Sequence, residues 1–306
     1  MTILHILNPK AGKGNIPRAE DLSGTVHITT GIGDAKEFCS RTLANTSGDC
    51  TVHVYGGDGT LHEVVEGVMD AGAGSRTVVI PHPTGSGNDF ERETHDIRQP
   101  LRCDVIKYNG QYAINEINMG FDTDAVINMQ SFKKLPLVSG SLAYILGVAK
   151  SLIYKRAAHY KITAVMPDGR TEVFDGEYLL CLAANGRWYG GGFLAAPAAS
   201  FTDGELDLVL VKNVGRIRFI RLVGSYRAGR HIDKDRLTAA DGFGDILTFR
   251  RCRSIKIEGV STFSADGEIM NADNACNIIE AEAVASAISV AGAGMVTDAV
   301  HTADDV

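Results

Sequence analysis

The chain has 306 residues, about twice the length of a typical domain, so two domains are expected. Its 44% hydrophobic and 22% charged residues are globular proportions, which exclude a disordered chain, a coiled coil and a collagen-like fibre. With 37 acidic against 30 basic side chains the net charge is −7, which argues against nucleic acid as the main partner.

In chain order, apolar runs predict strands over 3–7, 25–29, 51–55 and 77–81, with helices at 34–45 and 60–71 between them. Strands alternating with helices indicate a parallel α/β sheet, whose ligands sit beyond the carboxyl ends of the strands. After about residue 100 strands follow one another, over 102–108, 111–119, 159–166, 171–174, 177–184, 206–212, 246–249 and 254–258. The pairs Asn109-Gly110 and Asp168-Gly169 are hairpin signals among them. Helices are expected near 140–155 and 216–228. The division is therefore 1–101 as an α/β domain and 102–282 as a mainly antiparallel β domain. Residues 283–306 read as helix-like or loose and are expected to pack back on the first domain, the last ten residues being frayed.

The six cysteines are dispersed with no C-x-x-C pair, which fits a reducing setting. No signal peptide is visible, and no apolar run reaches the roughly 20 residues of a bilayer span. The expectation is a cytoplasmic protein, peripherally associated with a membrane.

Three loops of small residues follow predicted strands. Gly56-Gly57-Asp58-Gly59-Thr60 lies between a strand and a helix, where backbone N–H groups can approach a phosphate. Thr60 with Glu63 reads as a capping box at the helix start. Asp58 beside phosphates suits a metal-mediated or ribose role, since a bare carboxylate repels them. Pro83-Thr84-Gly85-Ser86-Gly87-Asn88-Asp89 is the second loop. Asn8-Pro9-Lys10-Ala11-Gly12-Lys13-Gly14 is the third, and its lysines read as phosphate ligands or as ordinary surface charges. No P-loop signature occurs. His62 reads as an exposed helix residue.

The succession NPKAGKG, GGDGT and GSGNDF resembles the diacylglycerol kinase catalytic-domain family, which includes bacterial lipid kinases and sphingosine and ceramide kinases. The resemblance continues through NGRWYGGG at 185–192, APAA at 196–199, TDGELDL at 202–208 and ADGE at 265–268. GGDGT alone is shared with NAD kinases and phosphofructokinases; the combination is more specific. The chain departs from the family's pattern at Ser86, where Thr is common, at Glu91-Arg92 in place of Ala-Arg, and at His62 in place of Asn.

The resemblance implies a three-layer α/β nucleotide-binding domain of the NAD kinase and diacylglycerol kinase type. A β-sandwich domain follows, with the active site in the cleft between the two. It implies ATP contacts from Asn8, Thr29, Gly56, Gly57, Asp58, Gly59, Thr60, Glu63, Gly85, Ser86, Gly87 and Asn88. It implies a general base at Asp266 or Glu268; on sequence alone that stretch is a β-turn. It also implies Mg²⁺ held by Asp203, with main-chain oxygens near Ser200 and Glu205. The expected activity is transfer of the γ-phosphoryl group of ATP to a lipid hydroxyl, diacylglycerol first. A sphingoid lipid, another lipid alcohol or NAD are alternative acceptors, and a non-catalytic nucleotide- or lipid-binding regulator is the alternative of another class. A homodimer is also compatible. For membrane contact the segment 216–230 reads either as an interfacial helix or as a solvated one with a core stripe; Lys133-Lys134 and Arg250-Arg251-Arg253 share that ambiguity, and 135–154 reads as an acyl pocket or a core helix.

Overall fold

The computed structural model describes residues 1–11, 16–85, 87–121, 123–125, 127–128, 147, 150–151, 157–272 and 277–295. Gly12, Lys13, Gly14, Ser86, Lys133-Lys134, most of 135–154 and the last ten residues, all named above, lie outside the described residues. The chain divides into two compact units. One is Met1–Asp104 with the chain from Ser286 on, the other Val105–Ala285.

The first unit contains β1 (Thr2–Leu7), β2 (Thr25–Ile28), α1 (Asp34–Ala44), β3 (Cys50–Gly56), α2 (Asp58–Asp70), β4 (Thr77–Pro83), the short α3 (Glu91–Thr94) and the start of β5 (Leu101–Tyr108). Its strands are parallel in the order β4-β3-β1-β2. Alternate residues share a sheet face. One face presents Leu4, Ile6, Val52, Val54 and Val79, all buried. The other carries a ladder of rings. His5 stacks on His53 at 4.7 Å, and Tyr55 stacks on His82 at 4.2 Å. The helices α1 and α2 bury Ala35, Cys39 and Leu43 on one and Val64, Val65 and Val68 on the other. They approach closely at Gly67, where a Cβ would lie 2.6 Å from the carbonyl oxygen of Lys36.

The second unit continues with β6 (Gln111–Ala113), β7 (Glu116–Gly120), β8 (Ala158–Val165), β9 (Thr171–Ala184), β10 (Leu206–Lys212), α4 (Arg216–Arg227), a small hairpin of β11 (Ile232–Asp233) and β12 (Thr238–Ala239), β13 (Leu247–Cys252), β14 (Ser254–Glu258), β15 (Thr262–Ala265), β16 (Glu268–Asn271) and β17 (Ile278–Val290). Neighbours run antiparallel in the order β16-β15-β7-β9-β8-β14-β17, with β10 bridging β9 and β13. The long β9 pairs with β8 through its first half and with β7 and β10 through its second. Its two sides bury different clusters. Ile117, Met119, Cys181, Leu208, Ile257 and Phe263 belong to one. Leu180, Leu182, Val209, Phe219, Leu222 and Phe249 belong to the other.

Four local expectations are corrected. The strand expected over 111–119 is broken at Ile114 and Asn115, whose amides turn toward a carboxylate instead of a neighbouring strand. The runs 171–174 and 177–184 form one strand, because Gly176 between them stays extended and paired with Tyr160. The strand expected at 246–249 spans 247–252. Residues 283–290, expected as helix-like or loose, are the end of β17. Their small residues suit a strand that pairs first with β14 and finally, at Ser289 and Val290, in parallel with β4. The strand bends at Ser286 (φ 50°), whose amide donates to the Asp104 carboxylate at 2.7 Å and whose carbonyl accepts from Arg102.

Candidate active site

In the first unit β1, β2, β3 and β4 end on one edge, as parallel strands in register must, so the turns that follow them gather there. Hydrogen bonds then join the turns. The Asn8 side-chain amide donates to the Thr60 hydroxyl at 2.8 Å. The Asp58 carboxylate accepts the backbone N–H groups of Asn88 and Asp89, each at 2.7 Å. The Asn88 side chain closes its own loop on the Gly85 carbonyl at 2.9 Å, with the backbone at φ 54°. Glycine is required where the loops meet, since a Cβ on Gly85 would stand 2.5 Å from the Gly57 Cα. On Gly87 it would stand 2.4 Å from an Asp58 oxygen.

Helix α2 starts at Asp58, with Gly57 at the N-cap, a residue that supplies no side-chain cap. The capping box expected at Thr60 and Glu63 is therefore corrected. Thr60 lies inside the first turn, and its side chain packs over Gly56, where a Cβ would be 2.5 Å away. Glu63 serves a different helix. Its two carboxylate oxygens accept the amides of Gly33 (2.7 Å) and Ala35 (3.1 Å) at the start of α1. The loop after buried Thr29 is further held by Asp34, which accepts the amide and hydroxyl of Thr30 at 2.6 and 2.8 Å. Those two bonds hold the Asp34 carboxyl below its ordinary range. His62 is also corrected: it is 3% exposed and lies 3.7 Å from the Glu66 carboxylate, because it falls on the inner side of α2. Asp58, expected near a metal or ribose, is observed clasping the 85–89 loop. Ser86 lies outside the described residues.

In the second unit the two candidate bases differ in surroundings. Asp266 is 8% exposed, with φ 49°. Its carboxylate accepts three consecutive amides, from Ile114 (2.9 Å), Asn115 (2.8 Å) and Glu116 (3.0 Å). Those bonds interrupt the strand between β6 and β7. Glu268, two residues on, is half-buried at the start of β16. Its carboxylate has no hydrogen bond or ion pair to the described residues.

The turn before β10 holds the expected cation residues. The Ser200 and Thr202 hydroxyls lie 3.0 Å apart, and Asp203 accepts the Glu205 amide at 3.1 Å. Arg251 faces Asp203 (3.6 Å), Glu205 (3.9 Å) and Asp207 (3.3 Å). Arg253 acts on Glu205 as well, so two guanidinium groups face this cluster of three carboxylates. Burial raises the Asp207 carboxyl to about 7 despite Arg251, and its Oδ2 is buried with no hydrogen-bond partner. Glu205 is likewise raised by burial and by Asp203. Among the described residues no three His, Cys, Asp or Glu side chains form a metal cluster. A hard divalent cation here would rely on main-chain oxygens of the turn with Asp203, and the clustered carboxylates and the orphan Asp207 oxygen fit one. Asp207 and Arg251 were not legible in the sequence, since they meet only through the β10–β13 register.

Residues 2–111 match the diacylglycerol kinase catalytic domain, and residues 115–292 match the YegS C-terminal NAD kinase beta sandwich-like domain. The chain belongs to the family of lipid kinases that joins these two domains. Among its relatives is the diacylglycerol kinase of Bacillus subtilis, 31% identical over 68% of this chain and 70% of that protein. Another is the “Probable lipid kinase YegS-like” of Alcanivorax borkumensis, 29% identical over 61% of this chain. The chain spans 62% of the length of that second relative. A diacylglycerol kinase structure from Bacillus anthracis shares the fold, with TM-score 0.62 and 22% identity over 94% of this chain and 96% of that one.

Proposed function

We propose that the protein transfers the γ-phosphoryl group of ATP to the hydroxyl of a membrane lipid, with diacylglycerol as acceptor and phosphatidic acid as product. The observation that carries this reading is the edge of linked glycine turns in the first unit of a chain that belongs to a lipid kinase family. Phosphoryl transfer is chiefly positioning and charge stabilisation. Asn8, Thr29, Gly56, Gly57, Gly59, Thr60 and Gly85 to Asn88 would contact the nucleotide, the amides at the start of α2 serving its phosphates. Glu63 and Asp58 would act by holding the turns in place.

Glu268 would accept the proton of the attacking hydroxyl, because its carboxylate has no competing partner among the described residues. The oxygens of Asp266 are committed to three amides, so its part is to shape the 113–116 turn. Bound Mg²⁺ would neutralise charge on the transferring phosphates, and a second ion at Asp203 would brace the turn before β10.

The test is transfer of labelled γ-phosphate from ATP to diacylglycerol, sphingosine, ceramide and NAD in mixed micelles with Mg²⁺. Labelled phosphatidic acid from the wild type, absent with Glu268→Gln, is expected. Labelling of NAD alone, or nucleotide binding without any labelled acceptor, would overturn the reading.

A further inference from the structure

The helix α4 carries apolar residues on two opposite faces. Phe219, Leu222 and Tyr226 recur every three or four positions and are buried in the unit's second cluster. On the other side Ile217 is 75% exposed and Ile220 57%. Arg221, Gly224, Arg227 and Ala228 are exposed with them. At roughly 100° per residue, Ile217, Ile220, Arg221, Gly224 and Ala228 all fall within about 60° of the outward midline. The outer face is therefore an apolar ridge with a guanidinium set in it. Arg218 and Arg227 lie on its flanks, the first paired with Asp245 and the second with its guanidinium 5.7 Å from the Phe193 ring centre.

Charge sharpens the pattern. From Lys212 to Arg230 the sequence has six basic residues and no acidic one, in a chain of net charge −7. A helix facing only water gains nothing from two isoleucines on its outward face. An interface where acyl chains meet anionic headgroups satisfies both residue types at once, the isoleucines entering the hydrocarbon boundary and the arginines meeting phosphates.

We propose that the outer face of α4 is a docking surface for anionic lipid bilayers, with Ile217 and Ile220 as the inserted residues and Arg221 as the central headgroup contact. The proposal deepens the lipid-kinase reading and rests on it for its purpose, but the binding itself is measured without turnover.

The experiment is co-sedimentation of the full chain, without nucleotide, with vesicles of phosphatidylcholine alone or mixed with phosphatidylglycerol. Binding to the anionic vesicles, weakened by salt and absent from neutral ones, is expected. The double variant Ile217→Ser/Ile220→Ser and the single variant Arg221→Glu should each lower the partition constant about tenfold or more. Lys161→Glu, the same charge change on the exposed side of β8, should stay within about twofold. These positions are solvent-facing, so the variants should keep the wild-type thermal midpoint. Wild type that fails to bind, that binds neutral vesicles equally well, or that binds no better than the α4 variants would overturn the proposal. So would a concentration-dependent dimer in sedimentation equilibrium that Ile217→Ser/Ile220→Ser abolishes, since the face would then belong to a second copy. Kinase assays in detergent-dispersed diacylglycerol separate this from the functional reading. Inactive wild type that still binds vesicles removes the lipid-kinase reading alone, and active wild type that ignores vesicles removes the docking surface alone.

Discussion

Replacing Asp266 by Asn should damage the fold, whereas replacing Glu268 by Gln should damage only the reaction. The Asp266 carboxylate accepts the amides of Ile114, Asn115 and Glu116 at 2.8–3.0 Å from a site that is 8% exposed. Asparagine tolerates the left-handed backbone at this position, so the exchange isolates the hydrogen bonds. It leaves one acceptor oxygen and points an NH2 group at an N–H group. Charge-assisted bonds contribute about 1.5–3 kcal/mol each, and a stranded donor costs about 1–3 kcal/mol. A loss near 3 kcal/mol is the central expectation, which for a unit of this size lowers the midpoint by roughly 6–12 °C. Glu268 has no such partners among the described residues, so Glu268→Gln should leave the midpoint unchanged and reduce kcat by roughly a hundredfold or more. Thermal unfolding and single-turnover transfer on the same two variants decide the matter. If Asp266→Asn unfolds like the wild type and yet abolishes transfer, Asp266 acts in the chemistry and the assignment to Glu268 fails.

Three further outcomes follow from other parts of the molecule. Burial, with neighbouring imidazoles, lowers His53 and His82 to about 4, so they stay neutral in the fold while the unfolded chain protonates below about 6.5. Stability of the first unit should therefore fall as pH drops from 6.5 toward 4, and His82→Phe, which keeps a ring against Tyr55, should reduce that slope in pH-dependent denaturant melts; an unchanged slope refutes the assignment. Asp207 has the opposite sign. Its raised pKa of about 7 means that its unfavourable ionisation grows as pH rises from about 4 to 7, on the order of 4 kcal/mol at most, and Asp207→Asn should flatten the stability profile there. Gly67→Ala should destabilise by about 1–3 kcal/mol, because a Cβ 2.6 Å from the Lys36 carbonyl outweighs the roughly 1 kcal/mol gain in helix propensity; a higher midpoint would show that α1 shifts freely.

Much of the first unit was legible in the sequence because its signals are local. The apolar runs in 51–55 and 77–81, and glycine turns after them, specify parallel strands whose loops share an edge. The pairs Asn109-Gly110 and Asp168-Gly169 do form turns, since their side chains and backbones suit positive φ or tight reversal without help from elsewhere. The segment 278–290 was not legible as a strand. Its Ile and Val residues are interrupted by Ala, Ser and Glu, which carry little β preference, and pairing with β14 and β4 selects the extended state.

The sequence alone determined which residues are chemically able to serve a phosphoryl-transfer site, because residue type and spacing along the chain are local quantities. Tertiary structure decided what each of them does. Glu63 caps α1 instead of its own helix, Asp58 clasps the loop after β4, and Asp266 is spent on backbone amides while Glu268 is not. A carboxylate's role follows from the donors that reach it. Those donors lie 28 to 152 residues away in the chain, at distances set only when strands take their register.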